Sequence, residues 1–328
     1  MGKRSAMRRS ASMVATVATV SAALMSSAST AIAASHDDVA EVAFEVGNVD
    51  VGADLRLRHM VVRPSAPKGT VLFLHGFPET MFAWKAIART LGRDFEVHAF
   101  DWPGFGESSR PSVERFAYAP RDYATVLTRY IDTTGIGGSR LVIYATDIGA
   151  LPALLAAVDL PDIARMIVVG DFAPFDRPQY MQERLQALKE PASAEAVRRA
   201  FNASRDEILK NAFTRGLPEA QRYALDAEYQ ADMARGWQNG HLSSADAFAH
   251  YYAHFTRDQH VLEAQLPKLK TPVRVVWGEQ DIYINKEMGV EFSRRTAAPL
   301  RLLPATGHYP HLQRPGDTID EVRDAFRP

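Results

Sequence analysis

The sequence predicts an α/β protein: a mostly parallel sheet with helices on both faces and a helical cap inserted into it. Three observations carry this reading. Short apolar runs of strand length alternate with helix-length segments through the first half of the chain, the pattern of strands joined by helical crossovers. The alternation stops between about residues 175 and 260, where Ala, Arg, Glu and Gln dominate, and resumes afterwards. The strands after the interruption are too few for a domain of their own, so the helical block reads as an insertion into one core.

The elements follow in order. Val42–Val46 and Leu55–Val62 read as an opening pair of strands. Thr70–Leu74 (TVLFL) is continuously apolar, as expected of a strand buried on both faces, and ends at His75-Gly76-Phe77-Pro78. Met81–Leu91 has helical character, and Glu96–Phe100 is a strand ending at Asp101-Trp102-Pro103-Gly104. Arg121–Ile131 has helical spacing. Arg140–Ala145 (RLVIYA) is a strand that runs almost directly into Asp147, and Gly149–Val158 is an Ala- and Leu-rich helix. Met166–Gly170 is the sixth sheet strand. After the helical block come a strand at Pro272–Trp277, a helix at Glu287–Arg294 and a last strand at Leu300–Leu303. The core thus occupies residues 34–174 and 261–328, with the cap at 175–260.

Residues 1–33 differ in character. Lys3, Arg4, Arg8 and Arg9 form a basic start, Ala11 to Leu24 an apolar run, and Ala31-Ile32-Ala33 an A-x-A cleavage site, with no acidic residue before Asp37. That order is a secretory signal peptide, so export to the periplasm or beyond is expected. The apolar run is shorter than the roughly 20 residues of a membrane span. Without the four N-terminal basic residues, 34 of the 38 Lys and Arg remain against 39 Asp and Glu, a net charge of −5. No basic surface is implied, and nucleic acid is not an expected partner. The absence of cysteine excludes thiol catalysis and Cys-ligated zinc.

Three residues sit just past strand ends, where ligands bind in open parallel sheets: Asp147, Asp281 and His308. Asp147 lies in Ala145-Thr146-Asp147-Ile148-Gly149, the strand–turn–helix context of a nucleophile elbow, with small residues two before and two after. A carboxylate is ionised at neutral pH and suits attack on an electrophilic sp³ carbon, giving an ester on the enzyme. His308 is the candidate base for hydrolysing that ester, oriented by Asp281. Nucleophile, acid and histidine occur in the chain order of the α/β-hydrolase fold. The backbone N–H groups of Ile148 and Phe77 are the candidate oxyanion donors. Asp171, after the sixth strand, is the alternative triad acid.

His75-Gly76-Phe77-Pro78-Glu79, Asp101-Trp102-Pro103-Gly104-Phe105-Gly106-Glu107-Ser108, Asp147 in the elbow, Gly278 to Asp281 and Gly307-His308 together resemble the α/β-hydrolase epoxide hydrolases, most closely the exported bacterial ones, over about Val51 to Phe326. The resemblance implies a cofactor-independent enzyme that binds no metal, takes an apolar epoxide as its small-molecule substrate, and is compatible with a homodimer. It also implies that cap residues, usually two tyrosines or a histidine with a tyrosine, protonate the epoxide oxygen. Phe248-Ala249-His250-Tyr251-Tyr252 looks like the second of these motifs, with Tyr252 the best match; the family often has Arg next, where this chain has Ala253. Between Phe175 and Thr214 the one Tyr or His is Tyr180, the candidate first partner.

Haloalkane and haloacid dehalogenases of the same fold also use aspartate and form the alternative reading. Many carry Trp after the nucleophile and Asn in the oxyanion loop; Ile148 and Phe77 stand there in this chain, which favours epoxide chemistry. A non-enzymatic binding protein of this fold is a further alternative, opposed by the intact triad, and an esterase is disfavoured because Asp replaces Ser. His250, His254 and His260 have metal-like spacing but no Glu between them, so they read as cap or surface residues. His75 and Asp101 read as structural supports of their loops.

Overall fold

The computed structural model describes residues 44–52 and 55–327; the candidate signal peptide lies outside them. The chain enters through two antiparallel strands, β1 (Glu45–Asp50) and β2 (Arg56–Val62), followed by β3 (Thr70–Leu74). A 3-10 turn at Met81–Trp84 leads into α1 (Lys85–Leu91), then β4 (Glu96–Phe100) and α2 (Pro120–Thr134). Next come β5 (Gly138–Thr146), a 3-10 turn at Asp147–Gly149, α3 (Ala150–Asp159) and β6 (Ala164–Gly170). The eight-stranded sheet has the order β1-β2-β4-β3-β5-β6, completed by β9 (Val273–Gly278) and β10 (Leu300–Leu303). Pairing is antiparallel at the β1–β2–β4 end and parallel everywhere else.

The central strands are largely apolar because helices cover both faces. Every residue of β3 is buried, and α3 (ALPALLAAVD) is buried along almost its whole length. By contrast α2 is amphipathic, burying Tyr123, Leu127 and Tyr130 on one side. Pro120 opens it, and Gly135, at φ 69°, closes it in the left-handed conformation that favours glycine.

β6 and β9 are neighbours in the sheet, yet about a hundred residues separate them. That stretch holds α4 (Glu183–Ala187), α5 (Pro191–Ala203), α6 (Arg205–Asn211) and α7 (Ala227–Gly236). A minimal hairpin of β7 (Gln238–Asn239) with β8 (Leu242–Ser243) follows, then α8 (Ser244–Ala253) and α9 (Phe255–Gln265). After β9 the core is completed by α10 (Lys286–Thr296), α11 (Pro310–Gln313) and α12 (Pro315–Ala325). No helix among the described residues is long and apolar enough to cross a membrane.

The helical block is tied to the core by buried charge. Arg58 on β2 reaches both carboxylate oxygens of Asp232 on α7, at 2.9 and 2.7 Å, and also Asp101 at 2.8 Å. The Thr80 hydroxyl donates to Asp232 at 2.6 Å. Asp101 accepts from the amides of Met81 and Glu107, so it fastens the turn after β4.

Candidate active site

The loops that leave β3, β5, β6, β9 and β10 meet at one end of the sheet. Asp147 leaves β5 with φ 49°, a left-handed backbone that costs a non-glycine residue about 1–2 kcal/mol. The turn lifts its carboxylate clear of the sheet. The neighbouring loop must come very close: a Cβ on Gly76 would lie 2.5 Å from the Asp147 Cβ, so only glycine fits.

That approach brings the Phe77 N–H to 2.8 Å from Asp147 Oδ1. Ile148 follows directly in the turn. Behind the loop, Glu79 accepts the Gly76 N–H at 2.8 Å and meets His311 Nε2 at 2.7 Å. Burial alone would raise the Glu79 pKa; His311 overrides this and holds it below the usual value, so the carboxylate fixing the loop is ionised. The His75 ring is buried, approaches the Gly76 carbonyl at 2.8 Å and accepts the Trp102 N–H at 3.1 Å. Burial lowers its pKa, so it is a neutral loop support.

His308 Nε2 stands 3.5 Å from Asp147 Oδ2, and its Nδ1 is 2.7 Å from Asp281 Oδ2. The other Asp281 oxygen accepts the amides of Tyr283 and Ile284, at 2.8 and 3.1 Å. Burial would depress the His308 pKa, but Asp281 and Asp147 raise it well above 6.5. The resting imidazole is therefore protonated between two carboxylates. Asp171 is also buried here, with Oδ1 accepting the Gly278 N–H at 3.0 Å. Burial, then the neighbouring Asp281 charge, raise its pKa well above the ordinary value, so Asp171 is the neutral acid of the pair. Ligand atoms of Asp171, Asp281 and His308 lie within 4.8 Å of one another, close enough to hold a cation in principle, but Asp281 and His308 already spend theirs on the 2.7 Å contact.

A cavity of about 550 Å³, its mouth included, opens above Asp147 and His308. Phe77, Leu185, Phe201, Ile208 and Phe248 give it an apolar wall, with Phe77 and Phe248 stacked at 4.1 Å. Tyr283 and Tyr309 also line it. Their hydroxyls are spent on backbone carbonyls, Tyr283 on Ala212 and Tyr309 on Phe77, each at 3.0 Å. Burial pushes the Tyr283 phenol up to about 12, with Arg215 pulling the other way.

The two cap tyrosines differ. Tyr252 on α8 is buried, and its hydroxyl has no hydrogen-bond partner among the described residues. Burial and the Asp147 carboxylate push its pKa well above 10, so the phenol is neutral and near the carboxylate. Tyr251 instead donates to the Ile148 carbonyl at 3.1 Å. Tyr180 ends the short turn Pro178–Tyr180, where its carbonyl accepts the Asn285 N–H at 2.7 Å and its neighbour Met181 bridges to Ile284. Neither Tyr180 nor Tyr252 is among the residues that line the cavity. His250 and His254 do not share a helix: α8 ends at Ala253, and His254 caps it.

Comparison with known proteins bears on this geometry. A profile of the Alpha/beta hydrolase family matches residues 71–321. Epoxide hydrolase 3 of Mus musculus is 27% identical over 257 residues, covering 73% of this chain, which spans 65% of that relative's length. Fluoroacetate dehalogenase of a Burkholderia species is 32% identical over 133 residues, covering 40% of this chain and 42% of its own. The solved structure of the haloalkane dehalogenase DbeA-M1 loop variant from Bradyrhizobium elkanii superposes with a TM-score of 0.70 at 19% identity, covering 87% of this chain and 96% of its own; that likeness speaks to the fold.

Proposed function

The chain belongs to the Alpha/beta hydrolase family, and we propose that within it this protein opens epoxides to vicinal diols through an ester on Asp147. The observation that carries the proposal is a carboxylate in the nucleophile elbow, 2.8 Å from a backbone donor and 3.5 Å from a paired imidazole. A carboxylate is a poor catalyst for acyl transfer, but it attacks a strained sp³ carbon directly.

In the first step an Asp147 oxygen forms a bond to one ring carbon while that carbon's bond to the ring oxygen breaks. The ring oxygen takes the proton of Tyr252, the tyrosine whose hydroxyl is uncommitted. His308 makes good that proton through solvent in the cavity, because its hold weakens once the Asp147 charge is lost to the ester. Neutral His308 then removes a proton from water as the water attacks the Asp147 carbonyl carbon. The N–H groups of Phe77 and Ile148 receive the oxyanion. Collapse expels the diol alkoxide, which takes the proton from His308; the remaining proton of the water returns the imidazole to its charged form. Water and epoxide are consumed, and diol is the sole product.

The distinctive consequence is that the first diol oxygen comes from the protein. In a single turnover in oxygen-18 water with excess enzyme, the label should enter Asp147 and be absent from the diol. Label in the diol of that first turnover would mean direct attack by water and would overturn the covalent route.

The dehalogenase reading has one observation in its favour, the dehalogenases among the relatives. Ile148 offers a departing halide no side-chain donor, whereas a phenol near Asp147 suits an oxygen leaving group. Efficient halide release from haloalkanes without diol from any epoxide would favour it. Export belongs to the same proposal, on the order of basic, apolar and Ala-x-Ala segments in residues 1–33; N-terminal sequencing of the secreted or periplasmic protein tests it.

A further inference from the structure

The segment that carries the base also holds the oxyanion loop, and it does so twice. His308, Tyr309 and His311 lie within four residues of one another, between β10 and the first turn of α11. The Tyr309 hydroxyl donates to the Phe77 carbonyl at 3.0 Å. His311 meets Glu79 at 2.7 Å, and the other Glu79 oxygen accepts the Gly76 N–H at 2.8 Å. Tyr309 is buried, and burial with the neighbouring Tyr283 phenol and the Asp147 carboxylate keeps its own phenol neutral. Its ring stands edge-on to the imidazole of His308, with centroids 4.8 Å apart. One short segment therefore fixes the base on one side and the donor loop on the other.

These ties answer a weakness of the loop. Gly76 has to be glycine, because a Cβ there would meet Asp147, and glycine leaves the backbone its greatest freedom. In the resting enzyme the Phe77 N–H bonds to the charged Asp147 carboxylate. A charge-assisted bond of this kind is roughly twice as strong as a neutral one, so it orders the loop by itself. Once Asp147 is an ester, that charge is gone and the same N–H faces a neutral acyl oxygen. The loop loses its strongest anchor just when its N–H has to be in place for the attack of water. The bonds from Tyr309 and Glu79 do not involve Asp147 and persist through both steps. We propose that Tyr309, together with the Glu79–His311 pair, is a positioning residue for hydrolysis of the ester and not for its formation. It acts through Phe77 and touches no reacting atom. The role rests on the proposed ester on Asp147, whatever group leaves when that ester forms.

The test follows the two steps separately in intact-protein mass spectra during turnover of excess 1,2-epoxyhexane. Rapid quenching gives the initial rate at which the ester appears. Turnover divided by the fraction of enzyme held as ester gives the rate of its hydrolysis. Tyr309→Phe keeps the ring and removes the hydroxyl. Hydrolysis should slow by about tenfold, the scale of one neutral hydrogen bond, while formation changes by less than about twofold. Glu79→Gln should show the same split. Tyr118→Phe deletes a hydroxyl of the same kind, bonded to the Pro111 carbonyl at 2.6 Å and outside the cavity, and should change neither rate. Loss of a merely structural bond would lower the melting temperature and slow both steps alike. Equal slowing of both steps, or hydrolysis unchanged by Tyr309→Phe, overturns the inference. Failure of the epoxide reading looks different: no ester then forms from 1,2-epoxyhexane, even in His308→Gln. If 1-bromobutane esterifies Asp147 instead, the same two rates decide the role of Tyr309. If neither reagent leaves an ester, there is no hydrolytic step for Tyr309 to serve, and the inference falls with the covalent route.

Discussion

Asp281 and Asp171 crowd the same histidine, and replacing each by Asn should have very different consequences. Asp281 Oδ2 lies 2.7 Å from His308 Nδ1, and its other oxygen is fixed by two amides. Asn there removes the charge that raises the His308 pKa and presents an amide that favours the wrong tautomer. Loss of a triad carboxylate in this way costs about 10⁴ in rate, or about 5.5 kcal/mol of barrier. Asp171 is different because burial and the Asp281 charge keep it protonated. Asn has nearly its shape, can still accept the Gly278 N–H that Asp171 takes at 3.0 Å, and brings no change of charge. Its effect should stay within about tenfold, the scale of one neutral hydrogen bond. Steady-state kinetics on an epoxide, with thermal melts to check folding, measure both. A larger loss from Asp171→Asn than from Asp281→Asn would show that the charge on His308 is set from β6, and would refute the assignment of the neutral member.

Three further outcomes are expected. His308→Gln should form the ester and fail to hydrolyse it, so intact-protein mass spectrometry after exposure to an epoxide should show a substrate-sized adduct that wild type does not accumulate. Tyr252→Phe should slow alkylation of Asp147 by roughly the 10²–10⁴-fold of general acid catalysis, whereas Tyr180→Phe should change it by less than about twofold, the error of such a comparison; equal losses would show that the two phenols share the task. Asp232→Ala should lower stability by about 2–4 kcal/mol in urea denaturation, the range for breaking a buried pair, moderated here because Arg58 keeps Asp101; Arg58→Met with Asp232→Leu should lose less, because no charge is left stranded.

Much of the fold was legible because its central strands are apolar on both faces. Thr70–Leu74 has in the structure the bounds its sequence predicts, and the strand expected at Met166–Gly170 starts two residues earlier, at Ala164. The opening strand was not placed well: Val42–Val46 was expected, and the strand is Glu45–Asp50. It is an edge strand with largely exposed side chains, so burial imposes no pattern on it. The hairpin β7–β8 leaves no mark on the sequence pattern, since two-residue strands carry no periodicity. The strand–turn–helix order around Asp147 is present: a 3-10 turn spans Asp147–Gly149, and α3 begins at Ala150, one residue after the expected helix start.

Asp147, Asp281 and His308 could be picked out because each follows a strand, and strand ends can be read locally. The supporting groups could not be. Glu79 meets His311 across 232 residues of sequence, and Arg58 meets Asp232 across 174. What binds these scattered groups into one design is charge. His308 is held protonated by the neighbouring Asp281 and Asp147, and Asp171 is kept neutral by burial and by Asp281. In the proposed route the ester removes one of the two carboxylates that hold the His308 proton. The proton on His308 is thereby coupled to the state of Asp147. The same coupling makes the imidazole a base only after the ester has formed, when water is the correct target.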